Sequence, residues 1–126
     1  MIIAEESARS APVTKVFKRT NIILDKGKYR LAKLKGKGNI KEFLLISNSP
    51  NYKISIIINN TVIFDDRFDN LRKLSLYLGL LDVITNRNEF IFHLSNLEFN
   101  NNFEIILELE EKITFKTIYL IYNIHN

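Results

Sequence analysis

YKISIIINNTVIF, residues 52–64, decides the fold. Tyr52, Ile54, Ile56 and Ile58 fall on one side of an alternating run, and Lys53, Ser55 and Ile57 on the other. A period of two marks a half-buried strand. Asn59 and Asn60 follow, and both tolerate the left-handed backbone that a two-residue hairpin demands. Thr61–Phe64 is then the return strand. The same alternation recurs at Phe103–Leu109, where Phe103, Ile105, Leu107 and Leu109 oppose Glu104, Ile106, Glu108 and Glu110. After the loop at Glu111-Lys112, it continues through Ile113–Ile124, with Ile113, Phe115, Thr117, Tyr119 and Ile121 on one face. Past Thr117 the opposite face (Ile118, Leu120, Tyr122) is apolar too, so this strand should be covered on both sides, by its own domain or by another subunit.

Outward from these runs, strands are expected at Val13–Lys18, Asn21–Asp25, Lys28–Lys35, Ile40–Ser47, Glu89–Ser95 and Leu97–Phe99. Gly36-Lys37-Gly38-Asn39 reads as a loop, and Asn48-Ser49-Pro50-Asn51 and Asn100-Asn101-Asn102 as turns. Residues 65–81 fit two templates: Leu71, Leu74, Leu78 and Leu81 have helical spacing, while Leu74, Leu76, Leu78 and Leu80 alternate. The leucine-rich composition favours a short helix near 69–78, started by Asp66 or Asp69 and stopped at Gly79. Eight or nine short strands with turn signals between them predict an all-β chain, an antiparallel jelly-roll-like β-sandwich over residues 13–126. Residues 1–12 have no periodicity and end in Pro12, which suggests an extended N-terminal arm.

The composition offers little to catalysis. Among 126 residues there is no cysteine and no tryptophan, and there are two histidines. That excludes disulfide frameworks, thiolate metal sites and cysteine nucleophiles. His93 sits within a strand, facing away from Phe92, and His125 is the penultimate residue; neither has a nucleophile motif around it. Gly36-Lys37-Gly38 lacks the spacing of a phosphate loop. Asp65-Asp66-Arg67-Phe68-Asp69-Asn70 lacks that of a calcium loop. Glu104, Glu108 and Glu110 read as exposed strand glutamates that guard an edge, and Asn59-Asn60-Thr61 as hairpin chemistry and not a glycosylation site. No enzyme activity, metal, cofactor or small-molecule substrate is expected. No apolar run approaches the ~20 residues of a membrane-spanning helix, and Glu5 and Glu6 stand where a secretory leader carries bases.

Charge is unevenly placed. Residues 1–41 carry eleven bases and three acids, a net +8, and residues 42–126 seven bases and eleven acids, a net −4. Lys15, Lys18, Arg19, Lys33, Lys35 and Lys37 are therefore candidates for contact with an anionic partner, either nucleic acid or the acidic surface of a second copy. A solvated strand face accounts for the same pattern. Ile118, Leu120 and Tyr122 are the candidates for an apolar contact.

The stretch Gly36–Phe64, GKGNIKEFLLISNSPNYKISIIINNTVIF, resembles a segment of structural proteins of tailed phages and archaeal viruses: a G-x-G loop, an apolar strand, a Ser/Pro turn, a polar-apolar strand and an Asn-rich hairpin. Leu74–Leu78, Leu97–Phe99 and the closing hairpin Phe103–Tyr122 are similar in order and spacing to the rest of such domains. The resemblance implies a jelly-roll-like virion building block, assembled in the host cytoplasm with copies of itself and other virion proteins. The N-terminal arm and an exposed apolar strand face would hold it in place. The alternative is a non-catalytic binding module with a basic face for nucleic acid.

Overall fold

The computed structural model describes residues 12–125. The arm expected at 1–12 lies outside the described residues except for Pro12. Nine strands and one helix follow: β1 (Val13–Leu24), β2 (Gly27–Lys35), β3 (Lys37–Ser47), β4 (Tyr52–Ile58), β5 (Thr61–Arg67), α1 (Phe68–Leu74), β6 (Leu81–Asn86), β7 (Glu89–Phe99), β8 (Asn102–Leu109) and β9 (Ile113–His125). Sheet A has the order β1-β9-β3-β7-β6 and sheet B the order β2-β8-β4-β5, with every neighbour antiparallel. The pairs β1–β9, β2–β8, β3–β7 and β4–β5 are nested, as if one long double ribbon had been rolled over itself. That connectivity is a jelly roll, with β6 added at the outer edge of sheet A. The expected all-β sandwich is what forms.

The inward set of each strand builds one core. Tyr52, Ile54 and Ile56 from β4 and Phe103, Ile105 and Leu107 from β8 meet Phe43, Leu45, Phe92, Leu94, Phe115 and Leu120 from sheet A. Rings interlock between the sheets: Phe99 with Phe103 at 4.6 Å and Phe103 with Tyr122 at 5.4 Å between centroids. At the far end, Phe68 of α1 stands edge-on to both Tyr52 and Phe90, at 5.8 and 5.7 Å, so the helix closes the sandwich as it carries the chain from sheet B to sheet A. Burial pushes the Tyr52 hydroxyl well above the usual phenol range, and Ser47 beside it offsets little of this.

Five local expectations need correction. The strands expected at Val13–Lys18 and Asn21–Asp25 are one, β1, continuous through Asn21 at φ 51°. The loop expected at Gly36–Asn39 shrinks to Gly36, whose φ of 136° turns the chain from sheet B into sheet A. Lys37, Gly38 and Asn39 already belong to β3. A Cβ on Gly38 would lie 1.9 Å from the Asn123 carbonyl oxygen, so close pairing with β9, and not flexibility, requires glycine there. The helix spans Phe68–Leu74, not 69–78, and has no side-chain N-cap. Asp66 instead accepts from the Arg67 N–H and the Asn70 amide, and the helix stops well before Gly79. No strand is expected between Phe64 and Glu89, yet Leu81 begins β6, which pairs with β7 through the turn at Arg87, a residue with φ 56°. Finally, Glu89–Ser95 and Leu97–Phe99 are one strand, continuous through Asn96 at φ 56°.

The hairpin ends are braced by side chains. Asn59 and Asn60 adopt φ of 51° and 64°, and the Asn59 amide oxygen accepts from the N–H groups of Asn100 and Asn101. At the opposite end, the Glu111 carboxylate accepts from the Ser49 hydroxyl at 2.6 Å and the Asn51 amide at 2.5 Å. These bonds hold its pKa below the ordinary 4.5. A depressed folded pKa means the stabilisation is complete above about pH 4.5 and fades as pH falls through the lower folded value. The difference in urea midpoint between wild type and Glu111→Gln is therefore expected to shrink on acidification below that range. Gly38→Ala, in contrast, is expected to cost about 1–3 kcal/mol at every pH, measured by the same denaturation curves.

Candidate functional site

Which apolar residues face outward is settled by two bulges. In the β3–β9 ladder, Ile40 pairs with Tyr122 but Glu42 with Ile121, and Ile46 with Thr117 but Ser47 with Phe115. Lys41 and Lys116 are the extra residues. Each bulge has a left-handed asparagine opposite it, Asn96 on β7 and Asn21 on β1, unpaired within ladders whose register runs on unchanged. Because side chains alternate, one inserted residue exchanges the inner and outer sets of everything that follows. Ile113 and Phe115 point inward before Lys116; after it the inward residues are Ile118, Leu120, Tyr122 and Ile124.

This corrects the expected apolar contact surface. Ile118 and Leu120 are 2% exposed and belong to the core of their own domain. Tyr122 packs against Phe103, and burial raises its pKa. The outer face of β9 carries Thr117, Tyr119 and Ile121 instead. Register then assembles the outer face of sheet A in rows. One row crosses all five strands as Lys18, Tyr119, Leu44, His93 and Asp82; the next as Thr20, Thr117, Ile46, Ile91 and Ile84; a third as Val16, Ile121, Glu42 and Ser95. Val16 is 60% and Ile84 51% exposed at the two edges, and the apolar side chains between them are half-buried by one another. Seven apolar residues thus adjoin on one solvent-facing sheet, a signal hidden from sequence reading by the parity change at Lys116.

The six basic candidates do not converge. Lys15 and Arg19 sit on the inner side of edge strand β1, opposite Tyr122 and Ile118, with the Arg19 guanidinium 4.6 Å from the Phe17 ring centre. Lys18 is on the outer face of sheet A. Lys33 and Lys35 are on the outer face of sheet B, opposite Glu104 and Asn102, and Lys37 pairs with His125 at the start of β3. The basic column of β2 (Lys28, Arg30, Lys33) lies along the acidic column of β8, with Lys28 opposite Glu108, Lys33 opposite Glu104, and Arg30 ion-paired to Glu104. Much of the charge split is therefore a cross-strand ladder.

His93 has two carboxylate neighbours. Its Nε2 lies 2.6 Å from Glu42 Oε2, and its Nδ1 3.8 Å from Asp82 Oδ2. The group ties β3, β7 and β6 together on an open sheet face. With a carboxylate near each ring nitrogen, the imidazole has no hydroxyl to activate, so the arrangement is a cross-strand polar clasp and lacks the order of a nucleophile–base–acid relay. Among the described residues no cluster of three or more such side chains is placed to hold a metal. No helix among them is long and apolar enough to cross a membrane. A recess of about 590 Å³ lies beside α1, lined by Asp69, Arg72, Lys73, Leu76 and Val83.

No known protein family matches the chain, and no curated protein matches it. Among solved structures, the crystal structure of dimeric latent PorU from Porphyromonas gingivalis is similar over 89% of this chain and 10% of its own, with 12% identity and a TM-score of 0.31. The chain thus spans about a tenth of that protein, and a likeness this shallow carries no argument.

The parity switch has a direct test. Leu120→Ala is expected to cost about 2–5 kcal/mol of stability, as a core truncation does. Ile121→Ala, its neighbour on the outer face, should cost less than about 1 kcal/mol. Equal losses in urea denaturation would contradict the assigned faces.

Proposed function

We propose that the chain is a non-catalytic structural subunit of a virus particle, one that works by associating with copies of itself. The outer face of sheet A carries this reading. Val16, Leu44, Ile46, Ile84, Ile91, Tyr119 and Ile121 occupy adjoining positions on a surface that no other element among the described residues covers. Contiguous apolar surface of this kind marks sites of protein association, and covering it returns about 25 cal/mol per Å². The particle setting draws support from the similarity of Gly36–Phe64 to virion structural proteins. Jelly-roll connectivity serves capsid subunits, but lectins and cupins as well, so the face bears more weight than the fold.

Binding of nucleic acid through the basic strands has weaker support, because Glu104 and Glu108 stand beside the β2 bases. The two readings respond oppositely to salt. Apolar association should persist or strengthen toward about 1 M salt, whereas phosphate contacts weaken steeply. Light scattering of the purified chain over a concentration series is expected to give masses above the monomer that survive high salt. A monomer at every concentration, with affinity for DNA or RNA that collapses with salt, would replace this proposal with the alternative.

A further inference from the structure

We infer that the outer face of sheet A takes the same face of a second copy, in a two-fold pair whose axis runs parallel to the strands over β3. The inference rests on the self-association reading above and specifies its surface and symmetry. Sheet A has five strands with β3 at the centre, so that axis lays β1 of one copy over β6 of the other and β9 over β7. The row that crosses all five strands begins at Lys18 and ends at Asp82. In the pair, each Lys18 meets the other copy's Asp82, while Leu44 meets Leu44, Ile46 meets Ile46, and Tyr119 lies over His93. An axis running across the strands through that row would instead set Lys18 on Lys18 and Asp82 on Asp82. Charge complementarity selects the first arrangement.

Of the remaining charges, Glu42 opposes this arrangement and its pairing with His93 reduces the opposition. The axis brings the two Glu42 side chains toward each other, and each is drawn sideways to its own His93 at 2.6 Å. Glu98, opposite Asn39 on β7, comes to lie over the Asn123 position of β9. Area also suffices. Five strands at about 4.8 Å spacing and roughly 30 Å of strand length give about 700 Å² per copy, which places the total within the ~1,200–2,000 Å² range of stable interfaces. Aligned face-to-face packing is the ordinary way for two twisted sheets to meet.

The chain has no cysteine, so single introduced thiols report proximity cleanly. Facing sheets lie about 10 Å apart, beyond disulfide reach, which calls for a short bis-maleimide crosslinker. Leu44→Cys is expected to yield crosslinked dimer, and Ile57→Cys, on the outer face of sheet B, to stay monomeric. Lys18→Glu and Asp82→Lys should each raise the dimer Kd about 5- to 10-fold, and the double reversal should return it to within about twofold of wild type. Lys18 and Asp82 are exposed, and an unchanged urea midpoint for each variant separates lost pairing from lost folding. Association that crosslinks at Ile57→Cys but not at Leu44→Cys, and ignores both reversals, overturns this pairing and leaves self-association standing. A chain that stays monomeric at every concentration overturns both.

Discussion

A strand in a sheet must divide its side chains between two faces, and in sheet A the division changes partway along. Lys116 in β9 and Lys41 in β3 are each one residue too many for their ladders. Without them, Ile118 and Leu120 would be carried to the outside and Tyr119 and Ile121 to the inside. The bulges persist because lateral neighbours yield with them: Asn21 and Asn96 take left-handed backbone at the same levels, so β1 and β7 keep their own registers with β9 and β3. Asparagine is among the few residues that enter that conformation without a large steric cost. Core and contact surface are both consequences of this arrangement.

The nested pairing explains why so much apolar sequence can be accommodated without a helical layer. Each strand of sheet B covers part of sheet A, and α1 closes the end that the crossing from β5 to β6 leaves open, with Phe68 wedged between Tyr52 and Phe90. Outside, sheet B mixes the lysines and arginine of β2 and the glutamates of β8 with Ile57, Ile106 and the exposed Val62. Sheet A carries the longer apolar series, with Leu44, Ile46 and Ile91 at outward positions on its two inner strands. The proposed association uses that longer series.

Most of the architecture was legible in the sequence. Strict alternation at Tyr52–Ile58 and Phe103–Leu109 and the Asn59-Asn60 turn gave strands, inward residues and a hairpin that the structure reproduces. The failures are of two kinds. Leucine has good helical propensity, so the helix was drawn on to residue 78 and the strand at Leu81–Asn86 was missed, although Leu81 and Val83 alternate and the polar turn at Asn86–Asn88 marks a hairpin. And a bulge leaves no gap in a run such as KTIYLIY, apolar at nearly every position, so periodicity there cannot reveal which set faces inward. Ile118, Leu120 and Tyr122 were assigned to the surface for that reason, one residue out of phase. The basic candidates were misleading in another way: adjacency in sequence placed them in one stretch, but alternation and the crossing between sheets dispersed them over three surfaces.

That dispersal bears on what drives association. Charges spread along edges and matched by acids across a ladder act over short distances and are screened by salt. They can fix orientation but contribute little to holding two molecules together. An apolar sheet face does the reverse: it contributes free energy in proportion to area and has almost no preference for direction. On this molecule the two are combined on one surface, with a centre on β9, β3 and β7 that is apolar apart from the Glu42–His93 pair, and single opposite charges at its two edges, Lys18 on β1 and Asp82 on β6. In the proposed pair the centre would supply the affinity. The edges, being of opposite sign, would select among the ways two such faces could be laid together, favouring the one in which first and last strands exchange places.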